Sequence, residues 1–127
     1  MGRWQGRSSR RATGARLRSH RKKRLYELGS ESAETLPGEA KRKKVRSRGG
    51  QMKIKLLRDQ YANITDPETG KTQKVKIINV ASNPATIDYQ RRGVITKGAT
   101  IDTEFGKAKV TSRPGQHGII NAVLIKE

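Results

Sequence analysis

The chain contains no cysteine. That excludes disulfides, thiolate zinc sites and a cysteine nucleophile, and it fits a reducing compartment. Aromatic residues make up 4% of the chain, with one Trp and one Phe. Apolar residues reach only 31%, where a packed domain draws on nearly half. Part of the chain is therefore expected not to pack into a core of its own. No apolar run approaches the ~20 residues of a transmembrane helix, so no membrane span is expected. The first basic residues are followed by no apolar h-region, so no secretory signal is expected either. Acids are scarce too: 11 Asp+Glu face 29 Lys+Arg, a formal net charge of +18 on 127 residues. Such a charge needs a polyanionic partner or leaves strong self-repulsion. Nucleic acid is the first candidate and an anionic membrane surface the second.

What is present is unevenly placed. Residues 1–50 hold 16 Lys/Arg and 4 Glu, whereas residues 51–127 hold 13 Lys/Arg and 7 acids. Apolar residues run the other way, 12 in the first 50 and 28 in the last 77. The chain reads as a basic N-terminal extension over 1–50, joined near Gly49-Gly50 to a folded domain over 51–127. From Arg3 to Arg24 the extension is arginine-rich, with small residues between the cations. It cannot bury enough apolar surface to offset its ordering entropy, so alone it is expected to be disordered and largely extended. Leu17, Leu25 and Leu28 could share one face of a short helix over 15–28, which Gly29 would end. Residues 30–40, with Pro37-Gly38, read as an exposed loop.

Beyond Gly50 the pattern is of strands. Met52 to Leu57 alternates, with lysines outward. Tyr61 to Thr65 and Lys71 to Val80 flank the hairpin chemistry of Asp66-Pro67-Glu68-Thr69-Gly70. Val75 and Ile77 point to the core, with Ile78 and Val80 as further candidates. Thr86 to Tyr89 reads as a brief strand. Ala99, Ile101, Thr103 and Phe105 alternate with Thr100, Asp102 and Glu104 at a period of two. Ile119 to Ile125 is nearly continuous and apolar, as in a strand buried on both faces. The expected fold is mainly β, a small closed antiparallel barrel of about six strands, with no convincing helix.

Catalytic signals are weak. His20 lies among cations and His117 in a Pro/Gly turn, neither beside a nucleophile or carboxylate at motif spacing. The turn explains Asp66 and Glu68 better than a cation does. Alternation puts Asp102 and Glu104 on the solvent face, where charge balance is the simpler account. Gly106-Lys107 lacks the spacing of a P-loop. No enzyme activity, cofactor, metal or small-molecule substrate is expected. Phosphate binding is the strong signal, because clustered Lys and Arg release counterions from a nucleic-acid backbone. Nothing matches a DNA-recognition helix, zinc finger or basic zipper. A basic arm threading between helices suits a folded RNA. Trp4 stacks on a base, fills a pocket on a partner, or is a loose terminal side chain.

The motifs resemble a known family. They comprise Arg10 with Thr13-Gly14, Lys22-Lys23-Arg24 with Tyr26-Glu27-Leu28-Gly29, and Arg48-Gly49-Gly50. They continue with Asn83-Pro84-Ala85, Asp88-Tyr89 with Arg91-Arg92-Gly93, and Ile95-Thr96-Lys97-Gly98-Ala99. Val45-Arg46 with Lys53, Asn79-Val80, Gly106-Lys107-Ala108, Val110-Thr111-Ser112-Arg113-Pro114-Gly115-Gln116 and Asn121-Ala122-Val123-Leu124-Ile125 complete the set. In order and spacing the chain resembles the small-subunit ribosomal protein family S-eight-e, in its short archaeal form. The resemblance implies a cytoplasmic structural protein of the small ribosomal subunit. Its partners would be small-subunit ribosomal RNA and neighbouring ribosomal proteins, with no enzymatic activity and no cofactor. It implies a six-stranded barrel and an extension reaching into the RNA. The family also has a ribosome-biogenesis branch, which is the alternative reading; a general nucleic-acid-compacting protein is the third.

The expected phosphate contacts are Arg3, Arg7, Arg10, Arg11, Arg16, Arg18, Arg21, Lys22, Lys23 and Arg24. Trp4, Thr13 and Gly14 lie among them, the small residues allowing close backbone approach. Arg42, Lys43, Lys44, Arg46 and Arg48 form a second set. Lys53, Arg91, Arg92, Lys97 and Arg113 are the candidates on the barrel. The turn Ser112 to Gln116 either offers backbone N–H groups to RNA or is a tight loop.

Overall fold

The structure is a computed structural model, and it describes residues 3–125. The chain forms two compact units, one up to Ser32 and one from Ala33 onward. In the first, β1 (Arg3–Trp4) pairs antiparallel with β2 (Leu28–Gly29). Between them residues 9–17 fold back on themselves. The Arg11 N–H donates to the Ala15 carbonyl, and the Leu17 N–H to the Ser9 carbonyl, both at 2.8 Å. The helix expected over 15–28 does not form; only a 3₁₀ turn, Leu25–Glu27, is present. Of its three-residue apolar stripe Leu25 is 86% exposed, and a short helix with so little packing is marginal in water.

The second unit begins with β3 (Leu36–Pro37), β4 (Lys41–Arg46) and β5 (Met52–Asp59). It continues with β6 (Tyr61–Thr65), β7 (Thr72–Ser82), the helix α1 (Ile87–Arg91), β8 (Thr100–Thr103) and β9 (Gly106–Val110). The helix α2 (Pro114–His117) and β10 (Asn121–Leu124) complete it. The mainly β expectation holds, and so does closure: a barrel closes in the order β10-β6-β7-β8-β9. It has five strands rather than six, and it is mixed rather than purely antiparallel. The reason is topological. Strands alternate in direction from β6 to β10, so with an odd number the first and last run the same way. β10 therefore closes on β6 as a parallel pair, Asn121 opposite Asn63.

The strand missing from the barrel is β5, which lies in a separate three-stranded sheet of order β3-β5-β4. Gly49-Gly50, read from composition as a junction, forms the β4–β5 turn, at φ +82° and +81°. Ser47 closes that turn, its N–H donating to the Gln51 carbonyl at 2.7 Å. Nor is the segment over 30–40 simply an exposed loop. Thr35 is buried, donates its hydroxyl to the Leu56 carbonyl at 2.7 Å, and accepts the Ile95 N–H at 2.8 Å.

Leu56, Ile64, Val75, Ile95, Ile101, Val110 and Ile120 fill one apolar core. Full burial of a side chain such as Ile101 is worth roughly 1.5–3 kcal/mol. A bulge in β7 between Ile77 and Asn79 changes the strand's parity. Ile77 and Val80 therefore face inward while Ile78 is 65% exposed. Phe105, expected inside, sits on the β8–β9 turn and is exposed, because Thr103 bonds the Gly106 carbonyl and closes the turn around it. The stretch over 119–125 buries one face only: Ile120 and Ala122 are inside, Ile119 and Ile125 outside.

The expected strand over 86–89 is instead the start of α1. Thr86 caps it, accepting the Tyr89 N–H at 3.2 Å, as a threonine at an N-cap does. α2 begins with Pro114 and ends at Gly118, φ +75°. A Cβ at Gly118 would lie 2.9 Å from Ile54 Cγ2, so the glycine lets the α2 turn pack on β5. Among the described residues no helix is long and apolar enough to cross a membrane.

Candidate nucleic-acid interface

Each cation and small residue expected to meet RNA is exposed. The turn in the first unit pairs two of its arginine residues: an antiparallel bridge sets Arg10 opposite Arg16 on residues 9–17. Arg10 also donates to the Gly14 carbonyl at 2.9 Å, so it helps hold the tip where Thr13 and Gly14 lie. Trp4 is engaged within its own unit. Its indole N–H donates to the Arg7 carbonyl at 2.8 Å, and Lys23 Nζ lies 5.1 Å from the ring centroid. The loose-side-chain reading does not hold.

Arg21 grips Glu27 at 2.6 Å, and the Arg24 N–H donates to the same carboxylate at 2.9 Å. The Arg21 guanidinium, helped by that N–H, holds the Glu27 carboxyl below its ordinary value and is itself raised. Since the folded value is depressed, the stabilisation is complete above the ordinary carboxylate pKa. It is lost as the pH falls through the lower folded value. In an NMR titration the Glu27 midpoint should lie below that of an unfolded reference, and Arg21→Ala should return it upward.

The second set of cations lies on the β4–β5 hairpin, an antiparallel ribbon. Residues 41–59 contain nine Lys/Arg and a single acid, Asp59. Lys43 stands opposite Lys55, and Val45 opposite Lys53, on one face. Arg42, Lys44 and Arg46 stand opposite Leu56, Ile54 and Met52 on the other. At the ribbon's base Leu56 enters the core, and buried Asp59 accepts from Arg42 at 3.2 Å and from the Tyr61 N–H at 3.2 Å. Arg42 is thus an anchor, whereas Lys43, Lys44, Arg46 and Lys53 are displayed. Like charges opposite one another destabilise a ribbon standing alone; a polyanion turns that repulsion into binding energy. The sequence reading placed Lys41 in the second basic cluster but did not count Lys41, Lys55 or Arg58 among the phosphate contacts. Gly-Gly flanked by a continuous basic run on one side and an alternating one on the other was the signal that could have found them.

The remaining candidates are not gathered into one cluster. Arg92, at the C-cap of α1, is ion-paired with Glu34 and with Asp88, the latter at 3.3 Å, and these partners raise its pKa. It fastens α1 to the segment before β3. Arg91, Lys97 and Arg113 are exposed singly. The turn Ser112 to Gln116 is a tight local structure. His117 Nδ1 accepts the Arg113 N–H at 3.1 Å, and Ser112 donates its hydroxyl to the Ile119 carbonyl at 3.0 Å. Among the described residues no three His, Asp or Glu side chains converge as metal ligands.

The family model described as Ribosomal protein S8e matches residues 4–125. The chain belongs to the ribosomal protein S8e family. Among its relatives is a small ribosomal subunit protein eS8 from Methanococcus aeolicus, 57% identical over 128 residues and 100% of both chains. A protein of the same name from Nanoarchaeum equitans is 52% identical, over 97% of each chain. Another, from Methanocorpusculum labreanum, is 51% identical over 97% of this chain and 98% of its own. The resemblance drawn from the motifs is borne out along nearly the whole length. An S8e protein is a ribosomal component and not an enzyme.

Proposed function

We propose that this chain is a structural constituent of the small ribosomal subunit in the cytoplasm, where it binds and stabilises ribosomal RNA. The β4–β5 ribbon carries the reading, with nine cations against one acid that is buried at its base. The name shared by the full-length relatives supports the same assignment. The arginine-lined first unit and the ribbon neutralise phosphates that must approach one another as the subunit compacts. The RNA-binding extension runs through residue 50 in function, although the second compact unit begins at Ala33. The domain over 51–127, whose barrel is formed by β6–β10, supplies a docking surface beside the RNA and the neighbouring ribosomal proteins.

Gradient sedimentation of the tagged protein from its native cells, at moderate and high salt, tests this. Co-migration with mature small subunits and translating ribosomes is expected. Migration with precursor particles alone would instead make it a biogenesis factor, and absence from both would favour general nucleic-acid compaction.

A further inference from the structure

The barrel has a wall that the basic-cluster reading does not use. The strands β6, β7 and β10 are contiguous and contain no acidic residue. Tyr61 stands opposite Lys76, and Asn63 stands between Lys74 on one side and Asn121 on the other. Lys74 and Lys76 are exposed, and no ion pair involving either exists among the described residues. Tyr61 is 42% exposed, with Lys74 Nζ 4.6 Å from its ring centroid. That cation–π contact fixes the ring in place on the wall. Beside it the Asn63 amide donates to Asn121 Oδ1 at 3.0 Å. Whichever amide donates, one carbonyl oxygen and one whole NH2 group of this half-exposed pair stay outside that bond.

We propose that this wall is a binding platform for unpaired RNA nucleotides. Tyr61 stacks on a base, Lys74 and Lys76 take the flanking phosphates, and the Asn63–Asn121 pair hydrogen-bonds a base edge. The inference rests on the RNA reading above and gives it a second site, chemically unlike the first. The ribbon offers charge; the wall offers an aromatic face, cations and paired amides together. Single-stranded RNA is recognised with that combination, by stacking, phosphate neutralisation and hydrogen bonds to exposed base edges. A protein partner is the poorer fit, because lysine is depleted from the buried centre of protein interfaces.

The test uses the full chain and a single-stranded RNA decamer carrying one 2-aminopurine, whose fluorescence falls on stacking. Wild type and Tyr61→Phe should both quench it. Tyr61→Leu should lose the quench and weaken binding about tenfold, with an unchanged salt slope. Lys74→Ala with Lys76→Ala should lower the slope by about 1.4. Matching thermal melts show that the variants are folded, and Tyr61→Phe separates loss of the ring from loss of a hydroxyl. If the wild-type chain binds no RNA, the functional reading fails. If wild type binds and neutralising the ribbon weakens it, but Tyr61→Leu quenches fully, the platform alone is overturned. Tyr61→Leu that releases a ribosomal protein from the particle without changing RNA binding also overturns it, in favour of a protein contact.

Discussion

A chain beginning at Ala33 should fold with a cooperative melt, whereas one beginning at Gln51 should be largely unfolded at 25 °C. The shorter chain keeps every barrel strand but loses what braces them. Without Thr35, the buried Leu56 carbonyl and the Ile95 N–H lose the partners they hold at 2.7 and 2.8 Å. Each buried group left unsatisfied costs about 1–3 kcal/mol. The shorter chain also loses β4 and β3, which flank β5 on both sides, and the Arg42 partner of buried Asp59. At that magnitude the three groups that lose a partner amount together to about 3–9 kcal/mol. That is comparable to the whole stability of an ordinary small domain. Circular dichroism and thermal melts of the two fragments decide the matter. A Gln51 fragment as stable as the Ala33 fragment would show that the barrel stands without its bracing sheet.

These losses also show where the sequence was legible and where it was not. Alternation from Ala99 to Thr103 placed Ile101 and Thr103 inside, because an ordinary strand repeats every two residues. The same rule could not place Val80, since the bulge after Ile77 shifts the register without any mark in composition and turns Val80 inward. Thr35 was missed for a different reason. It is a lone polar residue in a Pro/Gly-containing stretch, and its burial comes from Leu56 and Ile95, distant in sequence. Composition found the cations but not their partners. Arg42 and Arg92 look like their neighbours in the chain, yet Asp59 in one case and Glu34 with Asp88 in the other engage them. Whether an arginine fastens the fold or faces a ligand depends on tertiary neighbours. The Gly49-Gly50 pair marked a change in composition, and the β4–β5 pairing makes it the turn of the most basic element in the second unit.

Replacing Lys43, Lys44, Arg46 and Lys53 together by glutamine should separate binding from stability. All four are exposed, and no salt bridge engages them among the described residues. Glutamine keeps much of the side chain's length while removing its charge, so the ribbon loses mainly its self-repulsion. The melting temperature should hold or rise. Affinity for a small-subunit ribosomal RNA fragment should fall by about two orders of magnitude or more at low salt. If the four side chains each neutralise a phosphate, the slope of log K against log salt should shrink by about 3–4, at roughly 0.7–0.9 per contact. Arg42→Gln supplies the opposite pattern. It strips a guanidinium from a buried carboxylate, so it should lower the melting temperature while changing the slope by less than one contact's worth. Were the fourfold variant to bind with wild-type affinity and slope, the ribbon's charge would have another use and the first unit alone would carry the RNA. Were it to lose stability as well, the four side chains would belong with Arg42 as braces of the fold.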